Sequence, residues 1–155
     1  MHALLRTKDG NWNELSRFTR YFSMPVWFTE GLAEYISVKI EVVDSIKKFD
    51  NMGFGGYFKV DSSCSEILIQ NSNMISYIGE AGVPTKFITD RKVFAPQFYA
   101  CSCSFTKYLV EKYGLDKMLK ADAAFQNEQK TIELLTEKNL QTLKEDWIAY
   151  LKTIQ

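Results

Sequence analysis

The sequence contains few of the residues that would identify its chemistry at once. It has a single histidine in 155 residues, which excludes a metal site built on two histidines of this chain. It has three cysteines, and an odd number argues against a closed disulfide framework. It also lacks any apolar run of the roughly 18 residues that a membrane-spanning helix needs, so no membrane segment is predicted.

An excess of charge of either sign is missing as well. Lysine plus arginine and aspartate plus glutamate both number 19, so no net field attracts nucleic acid or an anionic membrane. No basic run or RNA-binding motif occurs in the chain. We therefore predict no nucleic-acid partner.

The composition that remains is that of an ordinary globular domain. Hydrophobic residues make up 46% of the chain and charged residues 25%. A chain of this length fits one domain that buries a core of its own. We expect residues 1–155 to form a single domain, without internal repeats or low-complexity segments.

Helical spacing of apolar residues predicts a mainly α fold with few or no strands. Polar turns, prolines and glycines divide the chain into helices that we expect over 11–22, 30–46, 85–92, 100–113, 115–125 and 131–138. The glycine-rich segment 51–56 is predicted to be a loop. Ser63 to Glu66 fits a capping box, after which 67–80 is either a helix or begins with a short strand at 67–69.

The C-terminal segment is predicted to be a capped amphipathic helix. Asn139 is a suitable N-cap residue. Apolar residues then recur at steps of three and four, which indicates one buried stripe. The stripe consists of Leu140, Leu143, Trp147, Tyr150, Leu151 and Ile154.

The most distinctive stretch of the sequence is PVWFTEGLAEY at 25–35. It resembles the glutamate helix of the gluzincin zinc metallopeptidases, which has the pattern W-x-x-E-G-x-A-x-Y. The resemblance implies that Glu30 is a zinc ligand and that Glu34, one turn later, orients a ligand or lies at the surface. An acidic residue in the first turn of a helix is also favoured by the helix dipole. That alternative accounts for Glu30 but not for the Trp, Gly, Ala and Tyr around it.

The same family builds the rest of its zinc site from an H-E-x-x-H motif. Two histidines one turn apart bind the metal, and the intervening glutamate acts as general base toward a zinc-activated water. The resemblance implies that His2 is the second histidine of that motif. The first histidine and the glutamate are then expected upstream of residue 1, so that the chain is truncated at its N-terminus.

A second stretch, FYACSCSFTKYL at 98–109, resembles the Y-A-x-S-x-S-F-x-x-Y-L segment of peptidase MA-like families. The resemblance implies that Tyr99 donates a hydrogen bond to the oxyanion of the reaction intermediate. The alternative is a tyrosine packed near the start of a helix. Cys101 and Cys103 are two residues apart and point in different directions on a helix, which suits neither a shared metal ion nor a mutual disulfide. We expect them to be small buried thiols, or one of them to be modestly reactive.

A third stretch, at 139–151, is similar to the closing helix of peptidase MA-like domains, and Gly82-Val83-Pro84 is similar to a turn that precedes their tyrosine segment. The resemblance therefore implies the C-terminal helical part of a zinc metallopeptidase that cleaves a peptide or protein substrate. Without a general base and one histidine ligand, this chain alone is expected to be inactive. Two alternatives stay open, namely a degenerate peptidase-like domain with a binding or structural role and an unrelated helical interaction domain.

Overall fold

The computed structural model describes residues 25–44, 59–80, 82–124 and 127–154, with the side chains of 40–44 left aside. The expected helix over 11–22 and the expected loop over 51–56 lie outside these ranges. Eight helices occur within them and no strand, apart from one isolated bridge between Pro25 and Gly82. The predicted mainly α fold is confirmed for this part of the chain. In chain order the helices are α1 (Val26–Asp44), α2 (Val60–Gln70), α3 (Met74–Tyr77), α4 (Lys86–Thr89), α5 (Arg91–Tyr113), α6 (Leu115–Ala123), α7 (Glu128–Thr136) and α8 (Leu140–Thr153).

Helix α5 is the centre of the fold. Every residue from Ala100 to Val110 is buried, and a helix that is buried on all sides needs neighbours on all sides. Helices α1, α2, α3, α4, α6 and α8 all pack against it. The arrangement of these helices therefore depends on which side chains of α5 pack against each of them.

The predicted start of α5 at residue 100 was wrong, because the helix begins at Arg91 and includes Pro96. A proline inside a helix removes the N–H that would bond the carbonyl four residues earlier, here that of Lys92. Pro96 and Lys92 are both exposed, so water can bond that carbonyl. The added turns carry Phe94 and Phe98 into the core.

The capping box predicted at Ser63 to Glu66 was also wrong. These residues lie inside α2, which begins at Val60 and ends at Gln70. Asp61 supplies the acidic residue that favours a first helical turn. The possible strand at 67–69 is helical, and the helix stops at Asn71, where φ is −143°.

The C-terminal predictions are largely confirmed. The side-chain oxygen of Asn139 accepts a hydrogen bond from the backbone N–H of Thr142 at 2.8 Å, as an N-cap residue should. Gly114 ends α5 with φ of 97°, a conformation that favours glycine. Ile154 is the exception in the predicted apolar stripe, since α8 ends at Thr153 and leaves this side chain 45% exposed.

A chain of aromatic rings ties the outer helices to α5. The ring of Phe105 lies 5.3 Å from that of Trp27 in α1 and 5.0 Å from that of Trp147 in α8, between ring centres. All three side chains are fully buried.

Within the described ranges, no helix has the combination of length and apolarity needed to cross a bilayer.

Candidate functional site

Helices α1 and α5 meet backbone to backbone at Gly31. A Cβ atom at this position would lie 2.4 Å from the carbonyl oxygen of Ser102 and 2.4 Å from the hydroxyl oxygen of Thr106. Because such distances lie far inside van der Waals contact, only glycine fits the crossing. The Glu-Gly pair of the 25–35 motif thus has a structural reason: the glycine lets the turn that carries Glu30 approach α5 closely.

Other relations besides the Gly31 crossing connect α1 with α5 and with the segment before it. Near the start of α1, Pro25 pairs with Gly82, which shortly precedes α4 and α5. Further along, burial raises the pKa of Tyr35, and the negative charge of Glu111 near the end of α5 adds to that effect.

Helix periodicity relates Glu30 and Tyr99 to a pair of neighbouring residues. Burial raises the pKa of the Cys103 thiol and the negative charge of Glu34 adds to that effect, so the Glu34 carboxylate lies near this thiol. Residues four apart share one face of a helix. Glu30 lies one turn before Glu34 on α1, and Tyr99 lies one turn before Cys103 on α5, so each candidate residue shares a helix face with one member of the Glu34–Cys103 pair.

Both Glu30 and Glu34 are half-buried, which favours an interface position over a solvated face for each carboxylate. Glu30 is the fifth residue of α1 and lies beyond its first turn, so the helix-dipole explanation of this glutamate does not apply. Because the two residues are one turn apart, their carboxylates lie on one face of α1. His2, the other predicted metal ligand, lies outside the described residues.

Tyr99 is half-buried in the third turn of α5 and is held by other aromatic rings. Its ring centre lies 5.7 Å from that of Phe87 in α4 and 6.2 Å from that of Phe98. Tyr99 is the ninth residue of α5, so it does not occupy the helix start that the alternative interpretation required. Ring packing of this kind fixes the direction of a phenol.

The described residues do not complete a zinc site by themselves. Among them, no group of three histidine, cysteine, aspartate or glutamate side chains could hold a metal ion. A catalytic zinc takes three protein ligands, and Glu30 supplies a suitable carboxylate for only one of them. We therefore derive no catalytic step through a metal from these residues.

A buried polar cluster that sequence reasoning missed joins α2, α5 and α8. One carboxylate oxygen of Asp61 accepts a hydrogen bond from the Ser104 hydroxyl at 2.7 Å. The other accepts from Lys107 Nζ at 2.5 Å and from the Tyr150 hydroxyl at 3.2 Å. The Ser104 hydroxyl in turn accepts from Trp147 Nε1 at 3.1 Å. We call these five residues the Asp61 cluster.

The Asp61 cluster is a closed structural unit and not a second catalytic candidate. The Ser104 hydroxyl is fully buried and already has both a donor and an acceptor partner. Lys107 and Asp61 are 46 residues apart in sequence, so no local spacing could have indicated their pairing. Its chemistry is that of a satisfied buried ion pair, which fixes how three helices sit together.

The Asp61 cluster gives the stability of the chain a dependence on alkaline pH. Burial, followed by the charge and the hydrogen bond of Asp61, raises the pKa of Tyr150 to about 12, whereas an unfolded tyrosine titrates near 10. Below about pH 10 the favourable contribution of the neutral phenol is fully present. Between the two values the unfolded chain loses this proton first, so stability falls as the pH rises.

We expect this fall to be smaller in Tyr150→Phe, which has no proton to lose. Urea unfolding of both proteins at about pH 9 and about pH 11 measures it. The stability advantage of the original chain over Tyr150→Phe should shrink at the higher pH. An advantage that stays constant would contradict the assignment of a raised pKa to Tyr150.

The three cysteines are buried free thiols, as predicted for Cys101 and Cys103. The idea of a modestly reactive thiol is wrong for Cys103, because burial and then the charges of Glu34 and Asp61 raise its pKa. A raised pKa keeps the thiol protonated, and the thiolate is the reactive form. One relation was not predicted: Cys64 Sγ lies 2.8 Å from Cys101 Sγ.

No family model, curated protein or solved structure matches this chain. The resemblance to gluzincins therefore depends on the residues of the three stretches alone.

Proposed function

We propose that the chain forms the helical part of a gluzincin-type zinc metallopeptidase, with Glu30 as a metal ligand and Tyr99 as the oxyanion donor. The observation that carries this proposal is the Gly31 crossing. It brings the turn that carries Glu30 against α5 at Ser102 and Thr106, and Tyr99 lies three residues before Ser102 on the same face of α5.

The setting of both side chains suits the proposed roles. A ligand or donor acts best when it is held by rigid elements and supporting contacts. Glu30 projects from a long helix that glycine packs tightly against α5, and Tyr99 is held between Phe87 and Phe98. A phenol aimed into a site that excludes water stabilises developing negative charge strongly.

The remaining roles are assigned by the resemblance. His2 is the second histidine of the metal-binding motif, and Glu34 orients a metal ligand. The 155 residues contain no second histidine, so the chain on its own is expected to bind zinc weakly or not at all and to hydrolyse no peptide. The loss of the general base alone removes a contribution of about 10²–10⁴ in rate. The substrate of the complete site is a peptide or protein.

The proposal is tested by completing the motif. Adding the tripeptide His-Glu-Ala before Met1 creates the sequence His-Glu-Ala-Met-His, in which His2 is the second histidine. We expect this extended chain to bind one zinc ion at least about 100-fold more tightly than the original chain, because it gains a ligand. Isothermal titration calorimetry with zinc measures both affinities.

Three substitutions in the extended chain make the test specific. Glu30→Gln should abolish the gain, and Glu34→Gln should reduce affinity by about 10–100-fold. Glu111→Gln is the matched control: it makes the same change at an exposed residue of α5 and should leave zinc binding unchanged. If the extended chain binds zinc no more tightly, or binds it equally well with Glu30→Gln, the metallopeptidase proposal fails. A degenerate domain with a binding or structural role is then favoured.

A further inference from the structure

Two buried cysteines, one on α2 and one on α5, lie next to each other in the core. Cys64 Sγ and Cys101 Sγ are 2.8 Å apart, although the two residues are separated by 37 positions in sequence. A disulfide has an S–S separation of about 2.05 Å. The two sulfur atoms therefore need to approach by less than about 1 Å to be joined covalently, and no helix has to move to a new position.

The third cysteine is excluded from this pairing by helix geometry. Cys103 is two residues after Cys101 on α5, which is about 200° around the helix axis. Its side chain therefore points away from the Cys101 side, where Cys64 lies. Among the three possible pairings, only Cys64 with Cys101 is compatible with the folded arrangement.

We propose that Cys64 and Cys101 form a disulfide cross-link between α2 and α5 when the chain folds in the presence of a small-molecule disulfide, while Cys103 stays a thiol. The thiolate of one cysteine attacks the small-molecule disulfide and gives a mixed disulfide with release of one small thiol. The second cysteine then attacks the mixed disulfide and releases the other. Two protein thiols are oxidised, one small-molecule disulfide is reduced to two thiols, and the two protons are taken up by those thiols.

The cross-link must form before the core has closed. Both sulfur atoms belong to fully buried residues, so a small-molecule oxidant cannot reach them in the folded chain. Burial, the hydrogen bond with Cys101 and the nearby charge of Asp61 also raise the pKa of Cys64, which lowers its thiolate fraction after folding. Once formed, the bond is equally protected from reducing agents.

The bond should stabilise the chain because it closes a long loop. Joining residues 37 positions apart removes conformational freedom from the unfolded chain. For a domain of this size we expect the oxidised form to unfold at a temperature roughly 5–15 °C higher than the reduced form.

The test is refolding of the full chain from denaturant with a mixture of reduced and oxidised glutathione. Free thiols are then alkylated under denaturing conditions, and peptide mapping by mass spectrometry identifies the pairs. We expect one dominant product with Cys64 bonded to Cys101 and Cys103 alkylated. Thermal unfolding of this product, with and without prior reduction in denaturant, gives the shift in temperature.

Variants and the unfolded chain provide the controls. Cys103→Ala should still form the bond. In Cys64→Ala and Cys101→Ala the two remaining cysteines should not form a dominant disulfide and should be recovered mainly in the alkylated form. Oxidation in denaturant should yield a mixture of pairs, including the short-range pair Cys101 with Cys103, because loop closure alone then decides. Three alkylated cysteines after oxidative refolding, or the same mixture as in denaturant, would overturn the proposal.

Discussion

Replacing Asp61 by alanine is expected to destabilise the chain by about 3–5 kcal/mol, the usual cost of removing one partner of a buried ion pair. Asp61 is only 4% exposed, and three side chains donate hydrogen bonds to its two oxygens. Its loss removes the carboxylate that Lys107 binds and the acceptor of Ser104 and Tyr150. Urea unfolding followed by circular dichroism at neutral pH measures the change.

Two comparisons separate the loss of a buried pair from the loss of any carboxylate. Asp146 binds Lys112 and Lys138 at the surface, with distances of 3.2 Å and 2.6 Å, and Asp146→Ala should have a much smaller effect. The double variant Asp61→Leu, Lys107→Met should be more stable than Asp61→Ala, because it leaves no buried charge behind. Equal effects of Asp61→Ala and Asp146→Ala would contradict the role given to the Asp61 cluster.

Gly31→Ala is expected to cost roughly 2 kcal/mol or more, although alanine is the better helix former by about 1 kcal/mol. The new methyl group would lie 2.4 Å from the Ser102 carbonyl oxygen. That oxygen belongs to the backbone of a central helix, so α1 and α5 have to move apart. Chemical denaturation measures the cost in stability.

Two further variants locate this cost. Gly114→Ala adds a methyl group where nothing lies within 4 Å, so only its left-handed backbone opposes the change, by about 1–2 kcal/mol. Adding Thr106→Ala to Gly31→Ala should restore part of the stability and not all of it, since the Ser102 carbonyl oxygen remains. If Gly31→Ala is neutral or stabilising, the two helix backbones do not meet at this point.

In the extended chain, Gly31→Ala should also weaken zinc binding if Glu30 is a ligand, because it moves α1 away from α5.

The predictions from sequence succeeded where one segment contained the whole signal. The Asn139 cap, the α8 stripe as far as Leu151 and the end of α5 at Gly114 are decided by residues within one or two helical turns. The failures occurred where contacts with residues distant in the sequence decided the structure. A helix was predicted to begin at residue 100 and a cap was predicted at Ser63 to Glu66, but both helices begin earlier and place Phe94 and Cys64 in the core.

The candidate site, too, was only partly predictable from the sequence. Glu30 and Tyr99 were predicted from sequence because each lies in a local pattern of residues. The close approach to α5 of the turn that carries Glu30 was not deducible, since it depends on the packing of two helices whose closest residues are some 70 positions apart. The Asp61 cluster and the Cys64–Cys101 pair left no trace in the local sequence for the same reason.

By itself, the amino-acid sequence determined the helical class of the described residues, the cap and stripe of the last helix, and two chemically distinctive segments at 25–35 and 98–109. These properties follow from interactions between residues a few positions apart. The tertiary structure alone decided that Gly31 is a point of backbone contact, that Lys107 binds Asp61, and that Cys64 faces Cys101. Each of these contacts joins residues far apart in the chain, and only the packing of whole helices around α5 selects them.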